Sequence, residues 1–242
     1  MMQQSPDISV VIPAKDEIVA IGPLVEGIQK ALKGRSFEVI VVDDGSTDGM
    51  AVKLDELCAR LPWLQTLRND VSVGQSAAIR RGVRAARGAL IVTLDGDGQN
   101  PPDQIPLLIA PFERNDPASP ALGLVQGQRV KRQDTFAKRY ASRFANGLRG
   151  ALLKDRVRDS GCGLKAFRRA AYNDLPWFDH IHRFMAAMML REGWDVKTVD
   201  VTHCERNGGQ SKYNNLRRGL VGIPDLLGAA WLIHRKGPPR YR

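Results

Sequence analysis

An apolar run that ends in two aspartates determines the architecture we predict for this chain. It reads Ala89-Leu-Ile-Val-Thr-Leu-Asp-Gly-Asp-Gly-Gln-Asn-Pro-Pro102. Residues 90–94 predict a buried strand that delivers Asp95 and Asp97 to the edge of a sheet. Two carboxylates this close raise each other's pKa unless a cation neutralises them. A hard divalent ion, which keeps its other positions for water and phosphate oxygens, meets that need. An Asp-Gly-Asp-Gly string is also typical of a tight turn.

The composition is that of a globular protein with an anionic partner. Of the 242 residues, 43% are hydrophobic and 26% are charged, which suits one large α/β domain or two small ones. The 36 Lys and Arg residues exceed the 26 Asp and Glu residues, so the formal net charge is +10. Such an excess predicts binding to nucleic acid, to phosphates or to a lipid surface.

The sequence lacks the cysteine pairs, the secretory signal and the long apolar segment that are typical of several classes of protein. The three cysteines, Cys58, Cys162 and Cys204, form no CxxC pair, which argues against a zinc knuckle or a disulfide framework. A reducing compartment is therefore expected. Residues 1–7 are polar and lack the apolar core of a secretory signal. No stretch reaches the ~18 continuous apolar residues of a membrane span. We therefore predict a cytoplasmic protein.

Strands and helices alternate along the chain. Predicted strands lie at 8–12 (stopped by Pro13), 37–42, 65–68 at an edge, 89–94, 124–128, within 160–168, and at 196–201. Predicted helices lie at 18–32, after the turn 43–49, and at 75–87, 104–112, 136–153, 182–191 and 214–234. This order predicts a Rossmann-like, mixed and mostly parallel α/β sheet flanked by helices.

Three acidic loops follow the first, second and fourth predicted strands, at 13–17, 43–44 and 95–97. Ligands of open α/β sheets bind outside the carboxyl ends of the strands, so we expect these loops to converge on one crevice. Neither a GxGxxG loop after the first strand nor a GxxxxGK[ST] loop is present. Ordinary dehydrogenases and P-loop proteins are therefore disfavoured.

Four features in the second half of the sequence each allow two interpretations, one structural and one functional. Residues 136–153 predict a basic amphipathic helix, which is either a solvated surface helix or one that faces phosphates or a membrane. Asp159 is either a turn or cap carboxylate or a general base. His180 and His182 are either structural or a metal pair. Trp177 belongs either to the core or to an acceptor groove.

Five motifs occur in an order that resembles family 2 glycosyltransferases, which have the GT-A fold. They are Pro13-Ala-Lys-Asp-Glu17, Val42-Asp-Asp-Gly-Ser-Thr-Asp-Gly49, Asp95-Gly-Asp-Gly-Gln-Asn-Pro-Pro102, Gln126-Gly-Gln-Arg129 and Arg206-Asn-Gly-Gly-Gln-Ser-Lys212. Within that family the chain resembles the polyprenyl-phosphate branch, of the dolichyl-phosphate mannose synthase type. The resemblance covers roughly residues 7–234.

The resemblance implies a role for each matching residue. The residues that would bind the nucleotide are Pro13, Lys15, Glu17, Val42 and Asp44, and Gly96 would let the backbone approach it. Asp95, Asp97 and Gln99 would hold Mg²⁺ or Mn²⁺ and, through it, the diphosphate. The expected catalytic residues are Asp97 and three cations that would neutralise phosphates of donor or acceptor, Arg129, Arg206 and Lys212.

Two features depart from the family pattern. The family usually has an aromatic residue where Lys15 stands, and many relatives carry membrane helices after the catalytic domain, whereas this sequence ends at Arg242.

The expected activity is inverting transfer of a hexose from a nucleotide-sugar to a polyprenyl phosphate, either dolichyl or undecaprenyl. A metal and cationic side chains stabilise the charge that develops on the diphosphate. A phosphate acceptor is already an anion, whereas a saccharide hydroxyl, the alternative acceptor, needs a general base. The net charge alone would also suit a nucleic-acid-binding protein. Aromatic residues make up only 6% of the chain and do not interleave with the basic ones, so no nucleic-acid partner is expected.

The predicted organisation is a catalytic domain at 1–213 and an amphipathic C-terminal tail at 214–242. The catalytic domain would comprise a nucleotide-sugar half at about 7–130 and an acceptor half at about 131–213. The tail combines apolar residues, including Trp231, with basic flanks. It either packs on the domain or lies in the interface of an anionic membrane, on the cytoplasmic face. A separate membrane subunit is a further candidate partner.

Overall fold

The structure, a computed structural model, describes residues 5–113, 121–130, 150, 152–153, 155, 157–204 and 215–235. Strands and helices alternate in it. The strands are β1 (Ile8–Ala14), β2 (Phe37–Asp44), β3 (Leu64–Asn69), β4 (Leu90–Thr93), β5 (Leu122–Arg129), β6 (Lys165–Arg168) and β7 (Asp195–Val201). The helices are α1 (Ile18–Ala31), α2 (Met50–Arg60), α3 (Gln75–Ala85), α4 (Ile105–Glu113), α5 (Arg169–Asn173), α6 (Met185–Arg191) and α7 (Asn215–His234). Short 3₁₀ turns lie at Pro102–Gln104 and Ile181–Arg183.

All seven strands form one sheet in the order β3-β2-β1-β4-β6-β5-β7. Strand β6 runs antiparallel to β4 and β5, and the other neighbouring pairs are parallel. The carboxyl ends of six strands and the start of β6 therefore lie along one edge of the sheet. This architecture confirms the predicted mixed, mostly parallel sheet.

Helices cover both faces of the sheet. One apolar core joins the sheet to α1, α2 and α4, and a second joins it to α3, α5 and α6. Strands β1 and β2 are buried along almost their whole length because neither face of the sheet is open to water. That double burial explains why they read as continuous apolar runs in the sequence.

Helix α7 packs against α6 through a third apolar cluster, in which Ala229 and Ala230 of α7 meet Phe184 and Met188. Its remaining surface carries an apolar stripe at every fourth residue. Ile223, Leu227 and Trp231 are exposed by 56%, 59% and 58%. Within the described part of the chain, no helix is long and apolar enough to cross a membrane.

Two local predictions differ from the structure. Strand β1 continues through Pro13, where the sequence predicted a stop. Leu94 donates its N–H to the carbonyl of Val11, so the backbone polar groups of Val11 point toward β4. Those of Pro13, two residues further on, point the same way. Strand β4 has already ended at Thr93. The missing N–H of Pro13 thus costs no ladder hydrogen bond.

The short helix α5 was not predicted. Most of the predicted helix 136–153 lies outside the described residues, and the predicted domain boundaries stay predictions.

Candidate active site

The loop after β4 brings Asp95 to the carboxyl edge of the sheet, where two amides hold its carboxylate. Oδ1 accepts a hydrogen bond from Nε2 of Gln75 at 2.7 Å, and Oδ2 accepts one from Nδ2 of Asn100 at 3.5 Å. Gln75 is the first residue of α3, so the helix that packs on β1 and β2 also orients this aspartate. Asp95 is fixed from both sides before any ligand binds.

Asp97 is much less engaged. Its Oδ1 accepts the backbone N–H of Gln99 at 3.1 Å, which closes the loop on itself. The other carboxylate oxygen and the side-chain amide of Gln99 form no hydrogen bond with the residues that the structure describes. The carbonyl of Gln99 accepts the N–H of Cys204 at 2.9 Å. Asp97 and Gln99 therefore present oxygen atoms that a ligand can use.

A buried lysine lies behind Asp95. The side chain of Lys165, at the start of β6, is buried, and its ammonium donates to the carbonyl of Cys162. Burial lowers the pKa of Lys165. Burial, together with the charge of Asp97, raises the pKa of Asp95, while Lys165 and Arg129 act to lower it. A cation bound by Asp95 and Asp97 would relieve this unfavourable burial of negative charge.

Two glycines allow the close packing of this loop. A Cβ at Gly163 would lie 2.2 Å from Oδ2 of Asp95, so any side chain there would displace the carboxylate. A Cβ at Gly96 would lie 2.7 Å from the Cβ of Ala14. The contact of Gly96 with β1 thus supplies a reason for this glycine besides the predicted approach of a nucleotide.

Arg129 and Asp159 form a two-pronged ion pair. Nε and Nη2 of Arg129 donate to the two oxygens of Asp159 at 2.6 and 2.8 Å. The pair is largely shielded from water, and Asp159 raises the pKa of Arg129 further. Both interpretations offered for Asp159 from the sequence, a turn or cap carboxylate and a general base, omitted this partner. Arg129 is correspondingly not a free phosphate-binding cation in this structure.

Asp44, predicted to contact the nucleotide, is saturated by the loop between β3 and α3. Its Oδ1 accepts from Asn69 Nδ2 and the N–H of Val73, and its Oδ2 accepts from Ser72 Oγ and the N–H of Gly74, all within 3.0 Å. Burial acts to raise the pKa of Asp44, but these hydrogen bonds outweigh it and the pKa is lowered. The side chain shapes the site by holding this loop.

The other predicted nucleotide residues fall into two groups. Val42 and Pro13 are enclosed by protein, and Val42 packs beneath Gly82 of α3. Their side chains are covered because a sheet flanked by helices on both faces buries strand residues up to its edge. The predicted place of Pro13 in the nucleotide pocket, and of Val42 near the base and ribose, stays a prediction. Lys15 is exposed and Glu17 is half-buried, so both lie where a ligand can reach them.

The loops that follow β1 and β2 are tied together. Asp16, at a positive φ of 55°, donates its N–H to Ser46 Oγ at 2.9 Å and accepts the N–H of Thr47 at 2.8 Å. Asp48 accepts the N–H groups of Ile18 and Met50 at 2.9 and 3.0 Å. One aspartate thereby caps the starts of both α1 and α2, which places Lys15 and Glu17 beside the second acidic loop.

The two histidines are structural. His180 Nδ1 lies 2.7 Å from Oδ2 of Asp225 on α7, and His182 Nδ1 lies 2.6 Å from Oγ of Ser76 on α3. Their ring centroids are 6.4 Å apart. Each histidine fastens the segment between α5 and α6 to a different helix, so they do not form a metal pair.

Several predicted cations lie outside the described residues. These are Arg206, Lys212, and the basic residues Lys138, Arg139, Arg143 and Arg149 of the predicted helix 136–153.

The side chains of Asp95, Asp97 and Gln99 offer metal ligands that fit a hard divalent ion which also binds a substrate. Two carboxylates and an amide oxygen are the type of group that Mg²⁺ and Mn²⁺ prefer. Within the described ranges, no three His, Cys, Asp or Glu side chains cluster as a complete metal site. The protein would therefore supply only part of the ligand set, and phosphate oxygens and water would supply the rest.

Sequence reasoning assigned no role to Gln75, Asn100 or Lys165. Lys165 had a detectable signal, since a lysine inside the apolar run Leu164-Lys-Ala-Phe167 predicts a buried cation that needs a partner. Asn100 lies within the acidic motif itself. Gln75 carried no signal, because its contact with Asp95 depends on how α3 packs.

Comparison with known proteins identifies the family. Residues 9–175, more than half of the chain, match Glycosyl transferase family 2. The dodecaprenyl-phosphate galacturonate synthase of Rhizobium johnstonii is 35% identical over 242 residues, covering 98% of this chain and 70% of that protein. The undecaprenyl-phosphate 4-deoxy-4-formamido-L-arabinose transferase of Pseudomonas fluorescens is 31% identical over 214 residues. That match covers 87% of this chain but only 61% of the transferase, less than two thirds of its length.

A solved structure gives the same answer for the fold. The glucosyl-3-phosphoglycerate synthase of Mycobacterium tuberculosis, crystallised with Mn²⁺, UDP-glucose and phosphoglyceric acid, superposes with a TM-score of 0.70 at 21% identity. The match covers 93% of this chain and 80% of that structure. The predicted GT-A fold and the predicted resemblance to polyprenyl-phosphate sugar transferases are both confirmed. The chain belongs to glycosyl transferase family 2.

Proposed function

We propose that the chain is a metal-dependent, inverting glycosyltransferase that moves a hexose from a nucleotide-sugar to a polyprenyl phosphate, dolichyl or undecaprenyl. The observation that carries the choice of acceptor is the pair between Arg129 and Asp159. A general base needs an oxygen within reach of the proton that it removes. Both oxygens of Asp159, the candidate base, are engaged by one guanidinium. A phosphate acceptor needs no such base, and the names of the two relatives given above include dodecaprenyl phosphate and undecaprenyl phosphate.

The donor side of the proposal uses the loop after β4. Asp97 and Gln99 would hold Mg²⁺ or Mn²⁺ directly, and Asp95, oriented by Gln75 and Asn100, would complete the protein ligands. When bound, the ion neutralises the diphosphate and stabilises it as a leaving group. The Mn²⁺ and UDP-glucose in the mycobacterial structure support this assignment. Lys15 and Glu17 are the accessible candidates for contacts with the nucleotide.

The cationic motif Arg206–Lys212 follows Cys204 in the sequence, and the N–H of Cys204 donates to the carbonyl of Gln99 in the loop that would hold the metal. We propose that Arg206 and Lys212 neutralise the charge that develops on the departing diphosphate.

The chemical step follows from these positions. A phosphate oxygen of the acceptor attacks the anomeric carbon of the sugar as the bond from that carbon to the diphosphate oxygen breaks. The electron pair of the broken bond leaves with the nucleoside diphosphate, and the anomeric configuration inverts. No proton is transferred in this step.

An acceptor panel tests the proposal. Purified protein with Mg²⁺ or Mn²⁺ would be given UDP- and GDP-sugars, including UDP-galacturonate, together with a short polyprenyl phosphate, a soluble oligosaccharide or 3-phosphoglycerate. Transfer to the polyprenyl phosphate alone is the expected result, and anomeric inversion is checked by NMR of the product. Transfer to the oligosaccharide but not to the lipid would assign a hydroxyl acceptor and contradict the proposal.

The acceptor requires contact with a membrane, which we propose is the cytoplasmic face of an anionic bilayer bound through α7. The exposed stripe of Ile223, Leu227 and Trp231 would lie among the acyl chains, and the guanidinium of Arg235, 5.2 Å from the ring centroid of Trp231, would face the head groups. Interfacial tryptophan beside a basic residue suits such a surface.

Vesicle flotation tests this contact. The protein should float with phosphatidylglycerol vesicles at low salt and less at high salt, because surface charge is screened over about 8–10 Å at physiological ionic strength. Leu227→Glu should abolish flotation. Val52→Glu, at an equally exposed apolar position on α2, should leave it unchanged. If the wild-type chain stays unbound at low salt, α7 is not the membrane contact and a separate membrane subunit must deliver the lipid.

A further inference from the structure

A pocket of about 250 Å³ lies away from the metal loop, between α3, α5 and the segment that follows α5. Arg80 and Arg84 of α3 line one side of it, and Tyr172, Leu175, Trp177 and Ile181 line the other. Arg80 lies five residues after Gln75, and a helix rises 1.5 Å per residue, so the pocket begins about 7 Å along α3 from the residue that contacts Asp95. It is a second site and not an extension of the first.

Among the described residues, the two arginines of this pocket have no counter-charge. Neither forms an ion pair with any residue in the described ranges, and the guanidinium of Arg80 lies over the ring of Trp177, 4.3 Å from its centroid. Arg80 and Arg84 are one helical turn apart, a spacing at which like charges destabilise a helix. An anion bound between them would remove that repulsion.

A buried tyrosine, whose hydroxyl interacts electrostatically with Arg80 and Arg84, lines the same space. Tyr172 is only 7% exposed, and its ring stacks on Phe167 with centroids 5.2 Å apart. Its hydroxyl has no hydrogen bond to the part of the chain that the structure describes. Burial raises the pKa of Tyr172 to about 12, although Arg80 and Arg84 act to lower it. The hydroxyl is therefore a protonated donor, and buried donors of this kind nearly always have a partner.

The walls of the pocket are apolar where the cations end. Trp177 is 40% exposed, and Leu175 and Ile181 continue the apolar surface. The volume is below the ~300–1,000 Å³ of pockets that enclose a whole small molecule. The pocket thus suits a small anionic group whose remaining part extends outside. His180, in the same segment, is hydrogen-bonded to Asp225 of α7, so the pocket lies beside the helix with the exposed apolar stripe.

We propose that this pocket binds the phosphate group of a phosphate ester that carries an apolar portion. Arg80 and Arg84 would donate charge-assisted hydrogen bonds to the phosphate oxygens, and Tyr172 would donate a third. The apolar portion would lie against Trp177. The inference goes beyond the proposed glycosyl transfer and does not depend on it, since the pocket shares no residue with the metal loop.

Calorimetric titration of the full chain, without metal or nucleotide-sugar, tests the inference. Two probes distinguish the source of the phosphate: dihexanoyl phosphatidic acid below its critical micelle concentration, and glycerol 3-phosphate. Arg80→Gln with Arg84→Gln should weaken binding about tenfold or more, because charge-assisted hydrogen bonds are lost. The matched control, Lys33→Gln with Arg60→Gln, removes the same charge from two exposed positions, one in the turn after α1 and one at the end of α2, and should leave Kd unchanged.

Tyr172→Phe provides a second variant, because it keeps the ring that stacks on Phe167 and removes only the hydroxyl. It should weaken binding severalfold with an unchanged thermal midpoint. Tighter binding of dihexanoyl phosphatidic acid than of glycerol 3-phosphate is the expected result and assigns the pocket to lipid head groups. Equal binding of the two probes would show that the apolar portion adds no affinity and would contradict its placement against Trp177. Absence of binding to both probes, or equal weakening by the control pair, would overturn the inference. Either result would leave the transfer assay of the proposed function unaffected.

Discussion

Asp44 and Asp97 follow two parallel strands at the same edge of one sheet, yet their carboxylates are in opposite states. Asp44 accepts four hydrogen bonds from protein donors. Asp97 accepts one, from the backbone of its own loop. An acidic residue at the carboxyl end of a strand is therefore not by itself a ligand-binding residue. What decides its role is how many donors the neighbouring chain supplies.

The two loops differ in their donors for a local reason. The loop after β3 turns back over Asp44 and presents two side chains and two backbone N–H groups, from residues 69–74. The loop after β4 continues into Pro101 and Pro102, which have no N–H to offer. Among the residues that the structure describes, Asp97 consequently keeps one carboxylate oxygen without a donor, whereas both oxygens of Asp44 are engaged.

The largest expected effect comes from Asp97. Asp97→Asn should lower kcat a hundredfold or more, the scale on which one preorganised charge-stabilising group is lost, while the thermal midpoint stays within about a degree. Chelation should abolish transfer, and Mg²⁺ or Mn²⁺ should restore it. Asp70→Asn, at an exposed position without described contacts, is the control for loss of charge. Full activity of Asp97→Asn in steady-state assays would mean that its free oxygen has no function.

Displacing Asp95 should have a somewhat smaller effect. The Cβ of Gly163→Ala would overlap the Asp95 carboxylate. A shift of about 1 Å in a catalytic group can cost about a hundredfold in rate. Gly161→Ala, in the same loop, meets its nearest atom only at 3.4 Å and should retain activity. Equal kcat/KM for the two variants would show that the position of Asp95 is not critical.

Replacing Asp44 should lower the stability of the fold more than it lowers turnover. Asp44→Asn replaces one acceptor oxygen by a donor facing the β3–α3 loop, which should cost roughly 2 kcal/mol in the free energy of unfolding by urea. The folded pKa of Asp44 lies below the unfolded value of about 3.9. Its stabilisation is therefore complete above about pH 4 and disappears as the pH falls through the folded pKa. The difference in the free energy of unfolding between wild type and Asp44→Asn should therefore become smaller as the pH falls below about 4.

A difference in unfolding free energy that stays constant from pH 7 to pH 2 would contradict the assignment of Asp44 as an ionised loop anchor. A loss of nucleotide binding without any loss of stability would instead return Asp44 to the role predicted from the sequence.

The smallest expected effect concerns the amide that orients Asp95. Gln75→Ala removes the 2.7 Å hydrogen bond to Oδ1. Residues behind metal ligands typically change metal affinity by 10- to 100-fold, and we expect about tenfold here because Asn100 remains. The Mn²⁺ dependence of transfer measures this. Gln29→Ala, which removes an exposed amide on α1, should leave the Mn²⁺ dependence unchanged.

Much of the fold followed from short stretches of sequence. Strands β1, β2 and β4 were predicted because their residues are buried on both faces and so form contiguous apolar runs. The same burial encloses the side chain of Val42, which the sequence placed near the nucleotide. A run that is apolar throughout does not reveal which residues turn toward a helix and which come close to a ligand.

The five motifs and their order were sufficient to predict the family by resemblance. The alternation of strands and helices was sufficient to predict the sheet, because it depends on local periodicity and on turn-forming residues close together in sequence. The state of each charged side chain was decided by folding. Gln75 meets Asp95 across 20 positions, Ser72 meets Asp44 across 28, and Arg129 meets Asp159 across 30. Only the packed sheet brings these partners within hydrogen-bond distance, and hydrogen-bond geometry depends on that distance.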